Sequence, residues 1–99
     1  MRIFTEQALK EFSDMDPSSR TSLQVWSRIV KNCDWKRFSD MKRVFNAVEC
    51  IGPQTYVFNL KGDEFRLVAH VSFTTGFVYV RFIGTCKEYD GLYKRSVRR

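Results

Sequence analysis

At Gly52-Pro53 the apolar periodicity of this chain changes from helical to alternating. After it, three runs alternate apolar and polar residues, from Thr55 to Lys61, Glu64 to Phe73 and Phe77 to Thr85. Gly62-Asp63 reads as a two-residue hairpin turn between the first two, and Thr75-Gly76 as a second turn. Two turns fix a register that the side-chain pattern can test. The first puts Leu60 opposite Phe65, Phe58 opposite Leu67 and Tyr56 opposite Ala69. The second puts Ala69 opposite Phe82, Val71 opposite Val80 and Phe73 opposite Val78. Every pair is apolar, as a single buried face requires. A meander with one greasy face needs a covering layer, and the preceding segments supply it.

Met1 to Thr5 reads as a short first strand. Thr5 stands where it can cap a helix carrying Ala8, Leu9, Phe12 and Met15. Asp16-Pro17 stops that helix and can start the next, because proline is tolerated in a first turn. Thr21 with Gln24 is a rival capping box for the same start. Leu23, Trp26, Ile29 and Val30 form the second stripe, with Arg28 and Lys31 on its wet side. Ser39 then caps a third helix over Met41, Val44, Phe45 and Val48. The expected fold is α+β, with N-terminal helices on one face of a small antiparallel sheet. The 99 residues, 43% of them apolar, suit a single domain over 1–99.

The other sheet face follows from the same register. Asn59, Arg66 and Thr85 fall in one row. Thr55, His70 and Arg81 fall in another, with Val57, Val68 and Ile83 between, and Ser72 and Tyr79 beyond. The chain leaves this face at Thr85 and brings Cys86-Lys87-Glu88-Tyr89-Asp90 beside Arg66. A cationic sheet face edged by lysine, tyrosine and aspartate suits phosphate.

Seventeen Lys+Arg against eleven Asp+Glu give a net charge of +6 and favour a polyanionic partner, either nucleic acid or an acidic protein. The charge gathers in two stretches: Arg28, Lys31, Lys36, Arg37, Lys42 and Arg43, then Arg81, Lys87, Lys94, Arg95, Arg98 and Arg99. A solvated basic surface is the plain alternative. Cys33, Cys50 and Cys86 are odd in number and lack CxxC spacing, against a disulfide framework or structural zinc. With no apolar run long enough for a membrane span, a reducing cytoplasm is expected. No metal or cofactor motif is present.

Two segments carry a resemblance. Val57-Phe58-Asn59-Leu60-Lys61-Gly62-Asp63-Glu64-Phe65-Arg66-Leu67-Val68 resembles the VFN-(I/V)-x-G-N-x-(Y/L)-R-(L/V)-V hairpin of HigB-type toxins. Arg81-Phe82-Ile83-Gly84-Thr85-Cys86-Lys87-Glu88-Tyr89-Asp90 resembles their R-F-x-G-T-H-x-E-Y-D segment. Trp26, Trp35 and Asp40-Met41-Lys42 fall in family order upstream. HigB-type toxins belong to the RelE-like superfamily. The resemblance implies a metal-independent endoribonuclease that cuts mRNA in translating ribosomes. It also implies a helix-turn-helix, HigA-like antitoxin as partner in a toxin–antitoxin hetero-oligomer. Two residues depart from the pattern. Asp63 replaces the turn Asn and is itself a good turn residue. Cys86 replaces a histidine, exchanging a group that titrates near neutrality for a thiol of pKa about 8.5.

RNA cleavage requires a deprotonated 2′-hydroxyl, a stabilised phosphorane and a protonated leaving oxygen. His70 is the sole histidine, which excludes a two-histidine mechanism within one chain; it reads as an orienting or packing residue. Arg66 and Arg81 are the expected phosphate-stabilising pair, the alternative for Arg66 being an ion pair with Glu88 or Asp90. Tyr89 has three readings: an acid–base group if cations lower its pKa, a stacking ring for a base, or packing on the sheet. Lys87 binds phosphate or protonates the leaving group. Asn59 holds Arg66 across the strands, and Asp90 orients a neighbour or caps the terminal turn. Lys61, His70, Thr85 and Cys86 complete the RNA-binding or orienting set. The rival reading is a catalytically weak or non-enzymatic RelE- or ParE-fold module that inhibits the ribosome or gyrase. A plain DNA-binding regulator lacks a recognition-helix pattern here.

Overall fold

The structure, a computed structural model, describes residues 1–62 and 64–94. Asp63 of the first hairpin turn, and Arg95, Arg98 and Arg99 of the second basic stretch, lie outside the described residues, as does the side chain of Lys94. The elements in chain order are β1 (Arg2–Ile3), α1 (Glu6–Met15), α2 (Arg20–Asn32), α3 (Phe38–Val44), β2 (Val48–Gly52), β3 (Thr55–Leu60), β4 (Phe65–Ser72), β5 (Phe77–Thr85) and α4 (Cys86–Tyr89). A 3₁₀ turn at Pro17–Ser19 leads into α2, and a π-type turn at Asp90–Lys94 follows α4. The strands form one sheet in the order β1-β5-β4-β3-β2, antiparallel except where β1 runs parallel to β5. Among the described residues no helix is long and apolar enough to cross a membrane.

The helices cover one face of this sheet, as an apolar stripe demands a partner surface. Leu9 of α1, Leu23, Trp26 and Val30 of α2 and Met41 of α3 meet Phe58, Leu67, Ala69, Val71, Val78 and Val80 in one buried cluster. Trp26 stands edge-on to Phe58 at 5.4 Å between ring centroids, and Phe45 meets the same ring at 5.2 Å.

Several helical details differ from the sequence reading. Met15 is 83% exposed although it keeps the helical spacing, because it is the last residue of α1. The Thr5 hydroxyl does not cap α1; it accepts a hydrogen bond from Val80 N at 2.5 Å and so ends the β1–β5 ladder. The Thr21–Gln24 box is not used, since α2 is already under way at Arg20. Nor does Ser39 cap α3, which starts one residue earlier; Asp40 accepts instead from Lys36 N at 2.9 Å. Val48 is not helical. It opens β2, an edge strand in which only Val48 is buried, so its alternation is invisible in the sequence.

The first hairpin has the expected register: Leu60 pairs Phe65, Phe58 pairs Leu67, Tyr56 pairs Ala69, and Asn59 pairs Arg66. The second does not. Its loop runs Phe73–Gly76 rather than Thr75-Gly76 alone, closed by Gly76 N donating to Ser72 O at 2.8 Å, with Gly76 at φ 78°. Ala69 therefore faces Val80 and Val71 faces Val78, while Phe73 lies in the loop. Further along, Val68 pairs Phe82 although Ala69 pairs Val80, which leaves Arg81 as the extra residue of a β-bulge. Beyond it every side chain of β5 changes face. Ile83, expected on the open face, packs against the main core, and Phe82, expected inside, joins the open face.

Truncating a fully buried core side chain tests this packing. Leu67→Ala should lower unfolding free energy by about 2–5 kcal/mol, read from the urea midpoint at constant m-value.

Candidate active site on the open sheet face

Past the bulge, the row across the open face is Asn59, Arg66 and Gly84. Gly84 stands where Thr85 was expected, and the close approach above it requires glycine. A Cβ there would lie 2.6 Å from both Glu88 Oε1 and Phe82 Cζ. Thr85 is instead the N-cap of α4. Its hydroxyl accepts from Glu88 N at 3.2 Å, and the Glu88 carboxylate accepts from Thr85 N at 2.8 Å. This reciprocal capping box turns the chain back over the sheet. The T-x-x-E spacing of Thr85 and Glu88 carries that signal in the sequence.

The turn-back buries Tyr89 against Val57 and Val68, with Phe82 and Tyr93 packed alongside, in a second small cluster on the open face. Tyr89 and Tyr93 stack at 5.0 Å, and Phe82 meets Tyr93 edge-on at 5.6 Å. Arg66 sits at the margin of this cluster. Its Nη1 donates to Asn59 Oδ1 at 2.6 Å, and its guanidinium carbon lies 5.2 Å from the Tyr89 ring centroid. Its Nε is buried and has no hydrogen-bond partner among the described residues. No carboxylate among the described residues pairs with it, and Glu88 is engaged in the cap. Arg66 is thus a half-buried cation held by a neutral amide and a ring.

The Tyr89 phenol ionises above its ordinary value. Burial dominates that rise; the Arg66 cation pulls the other way without overcoming it, while Glu49, Asp90 and Tyr93 reinforce the rise. At neutral pH the phenol holds its proton, so it can donate but not act as a ready base.

The remaining expected site residues are dispersed. Cys86, Lys87 and Asp90 lie on α4 and its C-cap, with Lys87 and Asp90 exposed and Cys86 half-buried. His70 faces Tyr79, at 6.3 Å between rings, and not Arg81. It stands four residues along β4 from Arg66, about 13 Å away at strand rise. Arg81 is exposed at the bulge and lines the groove between α1 and the free edge of β5, with Glu11, Phe12 and Met15. The expected Arg66–Arg81 row is therefore not formed, because the bulge removes Arg81 from the ladder. Lys61 lies in the hairpin turn at φ 52°, paired with Glu64 at 3.2 Å.

Fold and site define a small basic α+β protein that presents an arginine–tyrosine cluster on the open face of its sheet. Comparison with known proteins agrees on one family. The HigB toxin profile, described as the RelE-like toxic component of a toxin–antitoxin system, matches residues 19–92. The chain is 33% identical over 92 residues to the mRNA interferase toxin HigB of Escherichia coli (strain K12), covering 91% of this chain and 88% of that one. The mRNA interferase HigB of Shigella flexneri gives the same identity and coverage. That of Escherichia coli O6:H1 is 23% identical over 94 residues, 93% and 91% of the two chains. This chain belongs to the HigB toxin family.

Two outcomes check the site. Thr85→Ala should cost about 1 kcal/mol through loss of the cap, with Thr85→Ser restoring most of it, measured by urea unfolding. In ultraviolet titration, the transition absent from Tyr89→Phe should lie above the usual tyrosine value of about 10 and move higher still in Arg66→Ala. The sign for stability follows: a folded-state pKa above the unfolded one keeps a proton on the native protein. That contribution is complete below about pH 10 and is lost as pH rises through the folded value.

Proposed function

We propose that this chain is an endoribonuclease of the mRNA-interferase type, the toxin of a type II toxin–antitoxin pair, acting in the cytoplasm on mRNA in the ribosome. One observation carries the reading: Arg66 presents a guanidinium anchored by Asn59, free of any carboxylate among the described residues, on the open face of a basic protein. A cation so placed suits a phosphate oxygen. The names of the relatives, mRNA interferases, support the same substrate.

In this reading the ribose 2′-hydroxyl gives up its proton to water as it attacks its own phosphodiester and forms a 2′,3′-cyclic phosphate. The P–O bond to the 5′-oxygen breaks, and that oxygen takes up a proton. Arg66 stabilises the charge on the phosphorane. Tyr89, protonated at neutral pH and in contact with Arg66, supplies the proton or orients the phosphate, with Lys87 assisting from α4. Arg81 adds to the field along the strand edge, and Lys61, His70, Thr85, Cys86 and Asp90 position the strand or the segment over it. No histidine stands beside Arg66, and Cys86 occupies the position where the family pattern has one. Orientation of the mRNA by the ribosome then supplies much of the rate, since well-aligned groups lower the barrier by several kcal/mol. The family description as one half of a toxin–antitoxin system supports an antitoxin partner, proposed here as a HigA-like helix-turn-helix protein in a hetero-oligomer.

Induced expression with transcripts mapped by primer extension tests this. Wild type should arrest growth and cut within translated frames. Arg66→Ala should reduce cleavage by about 100- to 1000-fold, the usual loss for one charge-stabilising donor, and Cys86→His should retain or raise it. Growth arrest with intact transcripts would replace the nuclease reading with a binding inhibitor of the ribosome or gyrase.

A further inference from the structure

The open face carries a second feature away from Arg66. In β1, Ile3 is buried against Val78, so its neighbours Arg2 and Phe4 project to the open face. There Phe4 stacks on Tyr79 at 5.3 Å, and Phe77 meets Phe4 edge-on at 4.6 Å. Phe4 is nonetheless 47% exposed. The Arg2 guanidinium lies 5.6 Å from the Phe4 centroid, and His70 flanks Tyr79. Neither the Thr55–His70–Tyr79 row nor the adjoining Ser72–Phe77–Arg2 row contains a carboxylate.

We infer that Phe4, Phe77 and Tyr79, with Arg2 beside them, form a base-stacking platform for single-stranded RNA next to the cleaved phosphate. The inference rests on the nuclease reading and gives its substrate a second point of attachment. Two arguments favour RNA over a protein partner. The platform lies on the same face as the Arg66 row and shares β5 with it; its nearer row, that of His70 and Tyr79, is about 13 Å from Arg66 along β4. An extended strand covers that distance in a few nucleotides. An exposed ring backed by two half-buried ones, with a cation beside it and no carboxylate in its ladder rows, suits unpaired bases. The protein's net charge of +6 adds long-range attraction for the same ligand. An incoming base takes the position over Phe4 that Arg2 now holds, and the guanidinium moves to a neighbouring phosphate.

Fluorescence anisotropy with a labelled single-stranded RNA, 2′-O-methylated throughout so that it cannot be cut, tests the platform. The double variant Phe4→Leu/Tyr79→Leu keeps apolar bulk but removes two rings, and should bind about tenfold or more weakly. Its salt dependence should match wild type, because no phosphate contact is lost. Phe4→Trp should bind as tightly as wild type or tighter, which separates lost stacking from lost folding. Arg66→Ala reports the nuclease site independently. Unchanged affinity in the double variant with weakened binding in Arg66→Ala overturns the platform and leaves the nuclease reading standing. Absence of binding by wild type overturns the platform, while the nuclease reading stands or falls on the primer-extension mapping. A wild-type dimer in sedimentation that Phe4→Leu converts to monomer also overturns the platform and assigns the patch to self-association.

Discussion

One extra residue in β5 decides which side of the sheet the C-terminal motif faces. With Arg81 unpaired in the ladder, Phe82 moves to the open face and Ile83 to the core. An unbulged strand would put Phe82 under the helices and leave Ile83 outside. The open face would then lose one wall of the cluster in which Tyr89 and Tyr93 pack. Gly84 would no longer stand in the row of Arg66, and the chain would leave the sheet in another direction. The local cost of an unpaired backbone position in a strand is offset by the small second core it creates.

That second core explains how a cation sits half-buried with no carboxylate paired to it among the described residues. Asn59 contributes a neutral acceptor from the neighbouring strand and Tyr89 the face of its ring. Each stabilises the guanidinium and neither neutralises it. A carboxylate in place of Asn59 would hold Arg66 more strongly and would also neutralise it. The capping box of Thr85 and Glu88 engages the Glu88 carboxylate at the N-terminus of α4.

The acid–base side is sparse. Burial holds the Tyr89 phenol protonated, and the sole histidine stands beside Tyr79, far along the strand. A site of this kind stabilises charge well and moves protons poorly. In the proposed nuclease reading it therefore suits a substrate delivered in a reactive geometry.

Much of this was legible in the residues. The switch of period at Gly52-Pro53, the helical stripe of Leu23, Trp26 and Val30, and the Leu60–Phe65, Phe58–Leu67 and Tyr56–Ala69 pairs are dictated locally, by the reach of one hairpin and one helix face. So was the Asn59–Arg66 contact, since cross-strand neighbours follow directly from that register. The second hairpin was not, because Thr75-Gly76 also fits a longer loop and a bulge leaves no mark in an apolar alternation. Ala69 finds an apolar partner in either register, so the pattern could not choose between them. β2 escaped because an edge strand with one buried residue has no period to read. What only the tertiary structure decided is which residues share Arg66's face: Gly84 in place of Thr85, Tyr79 in place of Arg81 beside His70, and Phe4 brought to β5 by a parallel pairing across most of the chain. Those neighbours depend on long-range packing, which compares whole arrangements of the sheet and the segment folded over it, and no local window of sequence contains that comparison.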